Sequence, residues 1–118
     1  MKTYVGHRSR GVVAVFVIGH DGDSRILPRC NELRNHSPNG FEWGYSGSGP
    51  AQLAFAILMD AIGDRGIVEP HYQEFKRRVV AGWPKDRSWK ITEQQVLKIF
   101  KAIMLEEKDG RDVGPPRR

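Results

Sequence analysis

The chain has 118 residues and a mass of 13.4 kDa, the size of one compact domain. Its 39% hydrophobic and 28% charged residues exclude a disordered tail or a fibre, and no apolar run approaches the roughly 20 residues that span a bilayer. One cysteine, Cys30, excludes an internal disulfide. Because the first residues contain no signal-peptide core, we expect a cytoplasmic protein.

The charge is unevenly distributed along the chain. Nineteen basic against fourteen acidic residues give a net charge of +5 and a pI near 9.7. Residues 1–63 carry six basic and five acidic side chains, whereas residues 64–118 carry thirteen and nine. The excess in the second half, with Lys76-Arg77-Arg78 at its centre, favours a polyanionic partner.

The first third of the chain has the pattern of β-structure. Residues 12–18 are all β-branched, aromatic or small apolar residues of strand length, and residues 3–5 and 24–27 are shorter candidates. The link over residues 8–11 predicts a hairpin, and Asp21-Gly22 predicts a second tight turn. Residues 41–45 alternate large aromatic with polar or small residues, which predicts another strand.

Residues 50–62 predict a central helix. Only Gln52 and Asp60 are polar between residues 51 and 62, so this helix must be buried on nearly every side. Ser48 or Gly49 is suited to the N-cap and Gly63 to a left-handed C-terminal stop.

Two further helices are expected at residues 70–82 and 92–107. The first has one apolar face and a basic exposed side. The second opens with a capping box in which Thr92 and Gln95 satisfy each other's backbone N–H groups. We therefore predict an α+β domain over residues 1–107, in which a small antiparallel sheet from residues 3–45 packs on about three helices, followed by a flexible basic tail over residues 108–118.

The glycine-rich turn over residues 44–50 connects the predicted strand to the central helix. Backbone N–H groups at such a helix start attract anions, so Gly47, Ser48 and Gly49 form a candidate anion-binding turn. The spacing matches neither the P-loop nor the dinucleotide fingerprint. The alternative, which we favour, is that the glycines allow close packing around the helix.

Four polar residues, Asn35, His36, Ser37 and Glu42, form a candidate cluster beside that turn. A histidine near a carboxylate performs acid–base chemistry, and Cys30 or Ser37 offers a nucleophile. The favoured alternative is that His36 and Ser37 only bind backbone groups of their loop. The four histidines lack the paired spacing of zinc ligands, so we expect neither a metal site nor a cofactor.

Basic residues around the second helix form the candidate surface for nucleic acid or another partner. Two interpretations of these residues remain open from the sequence. Either their side chains contact phosphates, or they cover a helix face that is exposed to solvent. The tryptophans at 43, 83 and 89 likewise stack on bases or pack inside the protein. The candidate surface consists of Lys76, Arg77, Arg78, Arg8, Arg10, Lys85 and Arg87, with Lys90 nearby.

The block from residue 35 to residue 54 resembles the hallmark of a family of small uncharacterised bacterial, archaeal and phage proteins, a domain of unknown function. The shared pattern is close to HSP-x-GFEWGY-x-GSGPAQLA, and further similarity covers most of residues 4–100, including Tyr72, Trp89 and Ile91-Thr92. The resemblance implies a compact single domain that is frequent on mobile elements, and it assigns no activity or catalytic residue.

Together these features predict a non-enzymatic interaction protein of a phage or mobile element. Its basic surface is expected to engage nucleic acid or a host nucleoprotein complex. Inhibition of a host defence system is one form that such an engagement would take. The alternative is a small-ligand or phosphate-binding protein, or an enzyme, that uses the turn over residues 44–50 with His36 and Glu42. The sequence leaves the oligomeric state open.

Overall fold

A computed structural model describes residues 1–36 and 40–112, the last four through their backbone alone. Ser37 of the predicted polar cluster and residues 113–118 of the predicted tail lie outside the described residues. The elements follow in the order β1 (Thr3–Ser9), β2 (Val12–Ile18), β3 (Ser24–Ile26), α1 (Ser48–Ile62), α2 (Arg65–Val68), α3 (Tyr72–Arg78), a 3₁₀ turn (Val80–Gly82), β4 (Trp89–Thr92) and α4 (Glu93–Asp112). This arrangement confirms the predicted α+β class.

The four strands form one antiparallel sheet in the order β3-β2-β1-β4. Arg10 and Gly11, with φ angles of 52° and 77°, close the predicted hairpin between β1 and β2, because its two-residue turn requires positive φ. Strand β2 is apolar at all seven positions. Its Val15 and Val17 are buried, whereas Val12 is 68% exposed and Ile26 of β3 is 69% exposed.

Helix α1 is the most buried element, as predicted. Ten successive residues, from Gly49 to Leu58, are buried. The helix shares one core with side chains of the sheet, such as Tyr4 and Val15, and it contacts α2, α3 and α4. Gly63, with a φ of 79°, ends the helix as predicted, but the N-cap is Gly47 and not Ser48 or Gly49.

The predicted strand over residues 41–45 is wrong, and the fourth strand is β4 instead. Gly44 has a φ of 87°, which interrupts extended backbone, and its N–H donates to the carbonyl oxygen of Val80 at 3.1 Å. The aromatic alternation there has another cause: Trp43 is fully buried and lies edge-on to Trp89 of β4, with ring centres 5.6 Å apart.

The helix predicted over residues 70–82 is divided. Helix α3 ends at Arg78, since Val79 has a φ of −119°, and the chain continues as the 3₁₀ turn. The short helix α2 precedes it, and Asp64 caps α2 by accepting from the N–H of Gly66 at 2.9 Å. Both α3 and α2 bury apolar residues of the predicted face, including Tyr72, Phe75 and Val68.

Helix α4 begins with the predicted capping box. The N–H of Gln95 donates to Thr92 Oγ1 at 3.0 Å, and the N–H of Thr92 donates to Gln95 Oε1 at 2.9 Å. The helix extends to Asp112, beyond the predicted end at residue 107.

The carboxylate of Asp60 joins the end of α1 to the sheet. It accepts hydrogen bonds from Arg25 Nη2 at 2.6 Å, Tyr4 Oη at 2.9 Å and Lys2 Nζ at 3.0 Å. Burial alone would raise the pKa of Asp60, but the hydrogen bonds from Arg25, Lys2 and Tyr4 outweigh burial and lower that pKa below its ordinary value.

Replacing the fully buried Leu58 with alanine should lower the free energy of unfolding by about 2–5 kcal/mol, because the core loses contacts and gains a cavity. Leu97 on α4, which is 41% exposed, is the matched control, and Leu97→Ala should change that free energy by about 0.5 kcal/mol or less. Urea unfolding followed by circular dichroism measures both. Equal stabilities of the two variants would contradict the burial of α1.

At neutral pH, Asp60→Asn should lower the free energy of unfolding by about 1–3 kcal/mol, because three hydrogen bonds lose their charged acceptor. The folded-state pKa lies below the unfolded value of about 3.9, so the carboxylate stabilises the fold fully above that pH. Its contribution is lost as the pH falls through the folded-state pKa. The stability difference from wild type, measured by urea unfolding, should therefore shrink below about pH 4. A difference that persists unchanged into stronger acid would refute this role.

Candidate functional site

The glycine-rich turn packs tightly against neighbouring side chains. A Cβ atom at Gly49 would lie 2.6 Å from Glu42 Cβ, and one at Gly47 would lie 2.4 Å from Tyr45 Cε2. At Gly44 the added atom would lie 2.5 Å from Lys85 Cα. Of the predicted anion-binding residues, Ser48 is exposed and Gly49 is buried. This geometry favours the packing interpretation of the three glycines.

Arg8 and Glu42, both predicted site residues, bind each other. Arg8 Nη2 donates to Glu42 Oε1 at 2.5 Å and Nη1 donates to Oε2 at 3.3 Å, while the guanidinium lies 4.6 Å from the centre of the Trp43 ring. The hydrogen bond from Arg8 lowers the pKa of Glu42. A carboxylate held ionised in this way is poorly suited to act as a general acid.

His36 holds a loop onto the helices, and Asn35 forms a hydrogen bond within that loop. The N–H of His36 donates to Gln52 Oε1 at 2.6 Å, and the His36 ring is hydrogen-bonded to the hydroxyl of Tyr72. Burial, with Arg34 and Lys76 nearby, lowers the pKa of His36. Asn35 Oδ1 accepts from Asn31 Nδ2 at 3.0 Å. His36 and Glu42 therefore have separate partners, on Tyr72 and on Arg8.

Cys30 has none of the activation that a nucleophile needs. Its side chain is half-buried, and burial raises the pKa of the thiol, which lowers the thiolate fraction at neutral pH. In the described ranges 1–36 and 40–112, no group of three His, Cys, Asp or Glu side chains is placed to hold a metal ion. Within the same ranges, no helix is long and apolar enough to cross a membrane.

The basic run Lys76-Arg77-Arg78 on α3 forms ion pairs with acidic neighbours through its two arginines. Glu74 accepts from Arg77 Nε at 3.0 Å and from Arg78 Nε at 2.7 Å, and Glu106 of α4 accepts from Arg78 Nη2 at 2.7 Å. Lys76 is half-buried and lies near His36. The three cations therefore do not form a single unpaired row.

The other predicted basic residues lie in turns and loops. Arg10 is exposed in the β1–β2 turn. In the loop before β4, Lys85 Nζ lies 5.0 Å from the centre of the Tyr45 ring, and the carbonyl oxygen of Arg87 accepts from Trp43 Nε1 at 3.0 Å. The Lys85 and Arg87 segment is thereby joined to the Arg8 region through Trp43.

A cavity of about 550 Å³ opens between α4, β4 and the 3₁₀ turn. Its apolar lining comes from four residues, and three cations border it; we call it the basic cavity. Lys90 and Lys98 are exposed, and neither forms an ion pair with a described residue. The lining consists of Arg78, Val79, Gly82, Trp83, Lys90, Ile91, Gln95, Lys98 and Ile99.

Trp83 is held rigidly at the basic cavity by a stack of tryptophans. Its ring lies parallel to that of Trp89, with centres 4.0 Å apart and an angle of 15° between the planes. Trp89 in turn lies over Gly6, where an added Cβ would be 2.2 Å from the indole. Trp83 is partly exposed and Trp89 is buried.

Sequence reasoning included Lys90 and Arg78 but missed Lys98 as a site residue. The available signal was the helical spacing of Gln95, Lys98 and Ile99, which places these three residues on one face of α4. That signal becomes specific only when α4 is known to lie beside β4 and the 3₁₀ turn.

Gly49→Ala should lower the free energy of unfolding by about 1–3 kcal/mol, because its Cβ would collide with Glu42 although alanine is the better helix former. Gly82 is the matched control: its added Cβ meets no atom within 4 Å, so Gly82→Ala should leave stability unchanged or raise it by up to about 1 kcal/mol. Thermal and urea unfolding measure both changes. A neutral Gly49→Ala would argue against the packing role of the turn.

Comparison with known proteins gives a family and no activity. No curated protein and no solved structure matches the chain. The model of a family of unknown function, DUF6166, matches residues 4–102, which include the glycine-rich turn and every residue that lines the basic cavity. The chain belongs to this family of unknown function, DUF6166.

Proposed function

We propose that this protein is a non-enzymatic binding protein whose basic cavity holds the phosphate backbone of a nucleic acid. The observation that carries the proposal is the pair Lys90 and Lys98. Both residues line the same cavity of about 550 Å³, Lys98 from α4 and Lys90 from the edge strand β4, and neither has an ion-pair partner among the described residues.

The charge around the basic cavity supports a polyanionic ligand. None of the described residues that line it is acidic. Arg78 of α3 adds a third cation, although Glu74 and Glu106 share its charge. Cations grouped without carboxylates between them attract phosphates, and each phosphate contact releases counterions from the nucleic acid.

The biological setting is a further part of the proposal. Encoding by a phage or mobile element, a cytoplasmic location, and engagement of a host nucleoprotein complex to inhibit a defence system are expectations from the sequence and the family resemblance. A nucleoprotein complex presents phosphates to the same cations, so it is compatible with the same cavity.

The contacts give less support to a small-ligand enzyme at the turn over residues 44–50. Glu42 and Tyr45 cover Gly49 and Gly47 closely. Glu42 is bound by Arg8, and the His36 ring is bound by Tyr72. We therefore place the ligand at the basic cavity.

Lys98→Ala should reduce binding of nucleic acid and its salt dependence together. Loss of one phosphate contact should make the slope of log K against log salt shallower by about 0.7 for single strands and about 0.9 for duplex. Fluorescence anisotropy with labelled single-stranded and duplex oligonucleotides, titrated between about 50 and 200 mM NaCl, measures both quantities.

Lys101→Ala is the matched control, because it removes the same charge from an exposed position on the same helix but outside the cavity. Its effect on the slope should be smaller than that of Lys98→Ala. Wild-type protein that shows no salt-sensitive binding to either oligonucleotide would overturn the proposed function, and equal effects of the two substitutions would remove the cavity from it.

A further inference from the structure

The basic cavity has an apolar interior as well as a charged rim. Val79, Trp83, Ile91 and Ile99 line it beside the cations. A protein that only follows a phosphate backbone needs cations on its surface and gains nothing from an apolar recess. The combination is suited to a ligand with an anionic part and a flat apolar part, which is the chemistry of a nucleotide.

Trp83 is the aromatic residue that lines this recess, and it is partly exposed. Trp89 stacks on it at 4.0 Å, and Trp43 packs edge-on against Trp89 at 5.6 Å. Because the ring is already fixed by this stack, a base that packs on it loses little additional side-chain freedom from the protein.

On the basis of the proposed function, we infer that the basic cavity binds single-stranded nucleic acid by taking one unstacked base against Trp83. Lys98 and Arg78 then contact the phosphates on either side of that base. Bases of an intact duplex are paired and stacked inside the helix, so they do not enter a recess of this kind. Stacking on an aromatic ring accepts any base, so the binding is independent of sequence.

Gly82→Leu tests the inference without removing a charge. Gly82 lines the cavity, and an added Cβ there meets no atom within 4 Å, so the substitution adds apolar bulk at the cavity wall without a clash at Cβ. Affinity for an oligothymidine of about 10–20 nucleotides should fall about tenfold or more, with little change in the salt slope. Affinity for duplex of the same length should change little.

Trp83→Leu and Trp83→Phe provide the second arm. The leucine variant should lose about tenfold or more in single-strand affinity, whereas the phenylalanine variant should retain most of it because it keeps an aromatic face. Circular dichroism and the unfolding midpoint establish that each variant is folded. Should Trp83→Leu fail to fold, Gly82→Leu and Trp83→Phe still decide the question.

The outcomes separate this inference from the proposed function. Salt-sensitive binding that is equally strong for duplex and single strand, and is unchanged in Gly82→Leu, would overturn the stacking site and leave the nucleic-acid function standing. Absence of salt-sensitive binding to both would overturn both. Selective loss of single-strand affinity in Gly82→Leu and Trp83→Leu supports the inference.

Discussion

Helix α1 is buried from Gly49 to Leu58, so the rest of the chain must cover it on every side. The sheet and the helices α2, α3 and α4 supply most of that cover. The one buried polar side chain among the described residues, Gln52, fastens the loop over residues 29–36: its amide donates to the carbonyl oxygen of Arg29 at 2.7 Å and accepts from the N–H of His36. Burial of an amide costs free energy unless the amide is hydrogen-bonded. The loop therefore supplies the hydrogen-bond partners that Gln52 of α1 needs, and Gln52 in turn holds the loop in position.

The glycine-rich turn and the basic cavity are linked through three tryptophans. Trp43 directly follows Glu42, which lies against Gly49 at the start of α1. The Trp43 ring packs on Trp89 of β4, and Trp89 stacks on Trp83 at the cavity. Trp43 is also fixed by the carbonyl oxygen of Arg87. One residue of the block that resembles the family hallmark, Trp43, thus packs on the tryptophan that stacks on Trp83 at the basic cavity.

Local signals in the sequence predicted much of the fold. The hairpin at Arg10-Gly11, the capping box of Thr92 and the burial of α1 depend on residues that are close in sequence, and all three are confirmed. Strand β4 was missed because four residues are too few for a clear alternating pattern, and its partner β1 lies at the other end of the chain. The residues that line the basic cavity lie between positions 78 and 99 and come from separate elements. The periodicity of the sequence indicates which face of its own element each residue occupies, but it does not show that these residues lie together in the fold.

Strand β2 is apolar on both faces, although only Val13, Val15 and Val17 share the face that packs on the core cluster. The register places Phe16 between Val5 and Ile26, so the opposite face carries a row of apolar side chains that ends at the exposed Ile26. At low ionic strength the net charge of +5 keeps molecules apart. Added salt screens that repulsion, so the electrostatic barrier to contact between the exposed apolar residues of two molecules falls as the ionic strength rises.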